Sequence, residues 1–113
     1  MLRKSESPPP LGEFETLVLT SIIAAGNDAY GATIHQELET LVESSREVSL
    51  GSVYTTLERL EQKGYVTSWK GEPTAERGGR AKRYYKVDAS GYRALNAALP
   101  PMKRAWDVVM ETT

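Results

Sequence analysis

The stretch from Ser49 to Gly64, Ser-Leu-Gly-Ser-Val-Tyr-Thr-Thr-Leu-Glu-Arg-Leu-Glu-Gln-Lys-Gly, constrains the chain more than any other. Val53, Leu57 and Leu60 recur at i, i+4 and i+7, which on a helix makes one apolar stripe that needs a core to pack against. Ser49 suits the N-cap, where its hydroxyl accepts from a free N–H of the first turn, and Gly64 suits the left-handed C′ position. The spacing therefore predicts a helix with defined ends. Its other face carries Gly51, Ser52, Thr55, Arg59 and Gln62. Helix stability alone would favour Ala, Glu, Lys and Gln there over a pair of adjacent threonines. Short hydroxyls, a glycine and an arginine are what a helix needs to approach a phosphate backbone and reach base edges. The pattern is that of a DNA recognition helix. An ordinary amphipathic helix with a solvated polar face shares it.

At 113 residues the chain has the length of one domain with a single modest core. Its 40% apolar and 26% charged content is ordinary for a soluble globular protein, so composition alone selects no special class. The absence of cysteine excludes disulfides and thiolate metal sites and is compatible with a cytoplasmic location. No apolar run approaches the roughly 20 residues of a membrane span, and the N-terminus lacks a signal-peptide apolar region. The net charge of −1 conceals a division along the chain. Residues 11–48 hold one basic and seven acidic groups, whereas residues 49–86 hold eight basic and four acidic ones. Such a division can focus a positive field on one surface despite a near-neutral total.

Residues 1–10 contain Ser-Pro-Pro-Pro without apolar periodicity and are expected to form a mobile, extended tail. From Leu11, the residues Phe14, Leu17, Val18, Ser21, Ile22 and Ala25 recur at helical spacing, and Gly26 closes the run before an Asn27-Asp28 turn. After Tyr30-Gly31, a second helix places Ile34, Leu38, Leu41 and Val42 on one face, and Ser44-Ser45-Arg46 ends it. His35 beside that stripe is the only histidine, which makes a poor metal site and fits a packing or surface role. Glu47-Val48-Ser49 is expected to add one short strand.

Tyr65 to Glu72 and Lys82 to Val87 are rich in β-branched and aromatic residues and are predicted to pair as a hairpin. The loop between them, 73–81, carries Arg77 and Arg80 around Gly78-Gly79, with Lys82 and Arg83 extending the charge. Its glycines leave room for a close backbone approach, although a solvated hairpin tip has the same composition. Asp88 is a good N-cap for a last helix. Tyr92, Leu95, Leu99, Met102, Trp106 and Val109 follow at spacings of 3, 4, 3, 4 and 3, a narrow seam suited to helix–helix association. Pro100-Pro101 interrupts it, and a kink or break is expected there because each proline removes a donor and crowds the preceding turn.

Three helices, the third with a polar outer face, followed by a hairpin with a basic tip, are the order of a winged helix-turn-helix. The expected class is α+β and mostly helical. A flexible tail occupies 1–10, the DNA-binding domain 11–87, and a C-terminal dimerisation helix 88–113. On this reading Ser49, Ser52, Thr55 and Arg59 of the helix and Arg77, Arg80 and Lys82 of the wing face double-stranded DNA. The apolar seam pairs two copies, which would favour a near-palindromic operator. The same seam offers a small apolar or aromatic ligand a stacking platform at Trp106.

Leu-Gly-Glu-Phe-Glu at 11–15, Tyr-Gly at 30–31, the run Gly-Ser-Val-Tyr-Thr-Thr-Leu-Glu-Arg-Leu-Glu-Gln-Lys-Gly at 51–64 and Gly-Gly-Arg-Ala-Lys-Arg-Tyr-Tyr at 78–85 resemble the PadR-type bacterial transcriptional regulators. The resemblance spans about Leu11 to Leu95 and looks like the shorter branch of that family. It implies a winged helix, a homodimer made by the C-terminal helix, and a repressor relieved by a ligand or signal. It also implies that Ser52, Tyr54, Thr55, Thr56, Gly79, Arg80 and Lys82 hold DNA. The chain departs from many members at Thr55, where a proline is common, and at Pro100-Pro101 within the usual dimerisation helix. The competing expectation is a winged-helix module that binds protein without specific DNA binding; salt-dependent duplex binding separates the two. An enzyme is not expected: there is no nucleophile elbow, phosphate loop or cysteine, and the histidine is isolated. No cofactor or metal is implied.

Overall fold

The computed structural model describes residues 10–43, 47–72 and 81–113. Helix α1 (Glu13–Ala25) leads through a 3₁₀ turn (Gly26–Asp28) to α2 (Gly31–Val42) and α3 (Leu50–Gln62). Strands β1 (Val66–Lys70) and β2 (Arg83–Val87) pair antiparallel, with Val66 opposite Val87 and Lys70 opposite Arg83. Helix α4 (Ala89–Thr112) follows. The core lies where the three N-terminal helices meet the hairpin: Val18, Leu19 and Ile22 of α1, Ile34 and Leu38 of α2, Val53, Leu57 and Leu60 of α3, then Tyr65, Tyr85 and Val87. The α3 stripe is wholly buried, so the two-faced helix stands with its polar side outward.

The ends of α3 form as its residues dictate. The Ser49 hydroxyl accepts from the Ser52 N–H at 3.0 Å, and Gly64 adopts φ 84°, a conformation that a side chain would strain.

Several expectations are corrected. Residues 47–49 make no strand; Val48 is instead buried, and its carbonyl accepts from the His35 ring at 2.6 Å if Nε2 carries the proton. The third strand-like pairing comes from Tyr30, which forms a β-bridge with Tyr84 while the Tyr85 N–H donates to Ala29 at 2.9 Å. Leu41 is exposed although it shares the helix face of Ile34 and Leu38; it lies one turn beyond Leu38, the last buried residue of α2. Asp88 occupies the N-cap of α4, yet its carboxylate accepts from the Thr67 hydroxyl at 2.8 Å and makes no cap bond.

Pro100-Pro101 does not break α4, which is helical from Ala89 to Thr112. Proline's fixed φ is compatible with a helix, and the carbonyls that go without donors belong to the exposed Asn96 and Ala97, where water can satisfy them. Leu95 is 4% exposed and belongs to this chain's own core, so it is not free to join a second copy. Beyond it, Leu99, Met102, Trp106 and Val109 are all exposed, as are Tyr92, Val108 and Met110.

Candidate nucleic-acid interface

The apolar anchors at 53, 57 and 60 direct Gly51, Thr55, Glu58, Arg59 and Gln62 outward, and all five are exposed. Glu58 thus joins the expected polar face and sets an acidic group beside Arg59. Ser49, Ser52, Thr55 and Arg59 line an open groove of about 1090 Å³, whose other walls include Phe14, Glu39 and Val48. Thr56, expected to hold DNA, is 3% exposed and lies on the core side of α3, one helical turn from Val53 and Leu60. It nevertheless borders the same groove as Ser52, Thr55 and Arg59.

Tyr54 stands on the opposite flank of α3, half exposed, with its ring across the start of α2. A Cβ at Gly31 would lie 2.0 Å from the Tyr54 hydroxyl oxygen, so the glycine of the Tyr-Gly pair leaves room for that ring. Lys82 reaches the same corner, its Nζ 4.2 Å from the centroid of the Tyr30 ring. Arg77, Gly79 and Arg80 lie outside the described residues.

Three sets of side-chain bonds that single-residue patterns do not reveal fix the placement of α3 and the hairpin. Lys63 Nζ donates to Glu15 at 2.8 Å, tying the end of α3 to the start of α1, and the other Glu15 oxygen accepts from the Gly12 N–H at 3.1 Å. On the hairpin side, Ser68 donates to Glu61 and accepts from Arg83, each at 2.8 Å, bridging α3 to both strands. Ser90 donates to the Gly64 carbonyl at 2.7 Å. The partners are 48, 7, 15 and 26 residues apart, and in each case they belong to different elements or the segments that join them.

Burial pushes the Glu15 carboxyl upward, but the Lys63 hydrogen bond, the Gly12 N–H and the charges of Lys63 and Arg59 outweigh it and hold it below its ordinary value. The folded form thus binds the proton less tightly than the unfolded chain. The stabilisation is complete above the ordinary value of 4.5 and is lost as pH falls through the lowered one. Lys63→Ala should cost about 1.5–3 kcal/mol at neutral pH, because it leaves a buried carboxylate without its charged donor. Urea denaturation at pH 7 and pH 3 checks this: the penalty should shrink at the lower pH, and an equal penalty at both would refute the tie.

The PadR-like family of transcriptional regulators matches residues 18–97, which include α2, α3, the hairpin and the first part of α4. The chain belongs to that family. Its members regulate transcription, so this PadR-like protein is a DNA-binding regulator and not an enzyme. No curated protein matches it. Among solved structures, a transcriptional regulator from Clostridium thermocellum is similar at 22% identity and TM-score 0.67, covering 86% of each chain. A PadR family transcription regulator from hypervirulent Clostridium difficile is similar at 22% identity and TM-score 0.62, covering 89% of this chain and 94% of its own. These likenesses bear on the fold, which is mostly helical with a two-stranded sheet. The ORC1 protein of Aeropyrum pernix in complex with DNA is also similar, at 25% identity and TM-score 0.61, over 77% of this chain and 24% of that one. No helix among the described residues of the PadR-like protein is long and apolar enough to cross a membrane.

Proposed function

We propose that this PadR-like protein is a homodimeric repressor that inserts α3 into the major groove and lays the 73–81 loop along the adjacent phosphate backbone. The hydroxyl-rich outer face of α3, held outward by a fully buried apolar stripe, carries this reading. Ser49, Ser52, Thr55 and Arg59 supply short polar groups and one cation at the groove they line. Tyr54 and Lys82 serve backbone phosphates from the α2 side, and Arg77, Gly79 and Arg80 do so from the wing. Glu39 and Glu58 repel phosphates that approach out of register, which favours one docking depth.

The second copy is held through Leu99, Met102, Trp106 and Val109 with Tyr92 at the flank. It presents its α3 to a half-site about 10 base pairs away on a near-palindromic operator. A flat apolar or aromatic effector that stacks on Trp106 would compete with that seam and relieve repression.

Selection of duplexes from a random pool, followed by salt titration, tests the reading. Arg80→Ala should weaken binding to every duplex and shallow the salt slope by about 1 for each phosphate that the variant no longer neutralises. Thr55→Ala should instead relax preference at one base pair per half-site by roughly 1–3 kcal/mol. An unchanged consensus in the Thr55 variant would remove it from base reading. A wild-type protein without salt-dependent duplex binding would leave the protein-binding module as the better description.

A further inference from the structure

The start of α2 is the corner where α3 and the hairpin converge. Tyr30 sits there in a fixed pose. Its backbone bridges to Tyr84, and its ring meets the Tyr84 ring edge-on at 5.7 Å. Tyr84 is itself stacked on Trp69 at 6.1 Å with 20° between the planes. Lys82 is held at both ends: its carbonyl accepts from the Gly71 N–H at 2.8 Å, and its ammonium lies over the Tyr30 ring at 4.2 Å.

From this we infer that Tyr30 is a positioning residue for DNA binding, its ring pre-placing the Lys82 ammonium at the base of the wing for a backbone phosphate. The inference rests on the DNA-facing surface proposed above. A free lysine side chain samples many rotamers, and ordering one of them opposes binding. The ring face attracts the cation through its quadrupole and covers only one side of it. An ammonium has three donors, so others stay open to a phosphate oxygen. The Tyr54 hydroxyl lies at Gly31, next in the chain, so α3 also brings a donor to the start of α2. Tyr30 would thereby link the depth of α3 to the placement of the wing without touching DNA.

The test is duplex affinity as a function of salt, measured for wild type, Tyr30→Leu, Tyr30→Phe, Lys82→Ala and the Tyr30→Leu/Lys82→Ala double variant. Tyr30→Leu should weaken binding about two- to fivefold, the scale of an exposed cation–π interaction. Tyr30→Phe should restore it. Lys82→Ala should shallow the salt slope by about 1, and adding Tyr30→Leu to it should weaken binding no further. Should Tyr30→Leu fail to fold, pentafluorophenylalanine at position 30 keeps the ring shape while reversing its quadrupole, and it should bind more weakly than Tyr30→Phe. Equal weakening by Tyr30→Leu with and without Lys82 would show a purely structural role and overturn the inference. So would tighter binding on removal of the ring, or Lys82→Ala with unchanged affinity and slope. If wild type binds duplex with no salt dependence, the DNA-facing surface itself is wrong and the inference falls with it.

Discussion

Leu99→Asp is expected to leave the fold intact and to dissociate the proposed homodimer. Leu99 is 42% exposed and lies beyond Leu95, the last α4 residue in the chain's own core, so a charge there meets water in the isolated protomer. In a twofold seam it would instead meet the partner's apolar stripe, and symmetry would introduce it twice. Burying a large apolar side chain is worth about 1.5–3 kcal/mol. Removing two leucines alone therefore loosens association by about 100-fold or more, before the cost of desolvating two carboxylates. Monomers would carry one α3 each and bind operator DNA only weakly, since the second half-site contributes through linkage. Sedimentation velocity at micromolar concentration decides the matter. A wild-type monomer, or a Leu99→Asp dimer as tight as wild type, would exclude this interface, while a far-ultraviolet spectrum like that of wild type would confirm that the variant is folded.

Gly91→Ala should destabilise the fold by about 1–3 kcal/mol, the range for overpacking a tight core. Gly91 is buried in the first turn of α4, where the helix crosses the end of the hairpin. A Cβ there would lie 2.5 Å from the Tyr65 carbonyl oxygen and 2.7 Å from Val87 Cγ1. The first neighbour is backbone and cannot rotate aside. The same carbonyl accepts the Asp88 N–H at 2.9 Å, so movement to relieve the clash would strain the bond that starts α4. Helix propensity acts in the opposite direction, because alanine in an open helical position is favoured over glycine by up to about 1 kcal/mol. The sign of the change is therefore informative. A higher urea midpoint for Gly91→Ala would mean that α4 does not approach the hairpin this closely.

Much of the architecture is legible in the sequence because it rests on local periodicity and local chemistry. The α3 stripe, its Ser49 cap and its Gly64 terminus all lie within one stretch of sequence, and none of them depends on a residue outside it to be recognised. The hairpin is equally readable, since β-branched and aromatic runs on either side of a Gly-Gly loop leave few other pairings. The outward placement of Ser52, Thr55 and Arg59 follows from the inward placement of Val53, Leu57 and Leu60.

Thr56 and Leu95 show where that kind of reading ends. A threonine at the border of a stripe is assigned inward or outward by what packs beside it, and here the neighbouring helices cover it. Leu95 keeps the heptad spacing of Leu99 and Trp106, yet it is the last buried residue of α4 among the described residues. One stripe is thus divided between an internal core and an exposed extension. Pro100-Pro101 departs from expectation for a related reason: missing helical bonds are costly in a dry interior and far less so where the freed carbonyls reach water.

The amino-acid order by itself determined the helices, the hairpin, the polar outer face of α3 and the family to which the chain belongs, because those depend on spacings within one element or on motifs in series. Only the tertiary structure decided that Glu15 holds Lys63, that Ser68 links Glu61 to Arg83, and that Tyr30 receives Lys82. Each of those pairings joins side chains from separate elements. Their meeting depends on how the helices and hairpin close around the shared core, a geometry set by packing volume and burial rather than by any local pattern of residues.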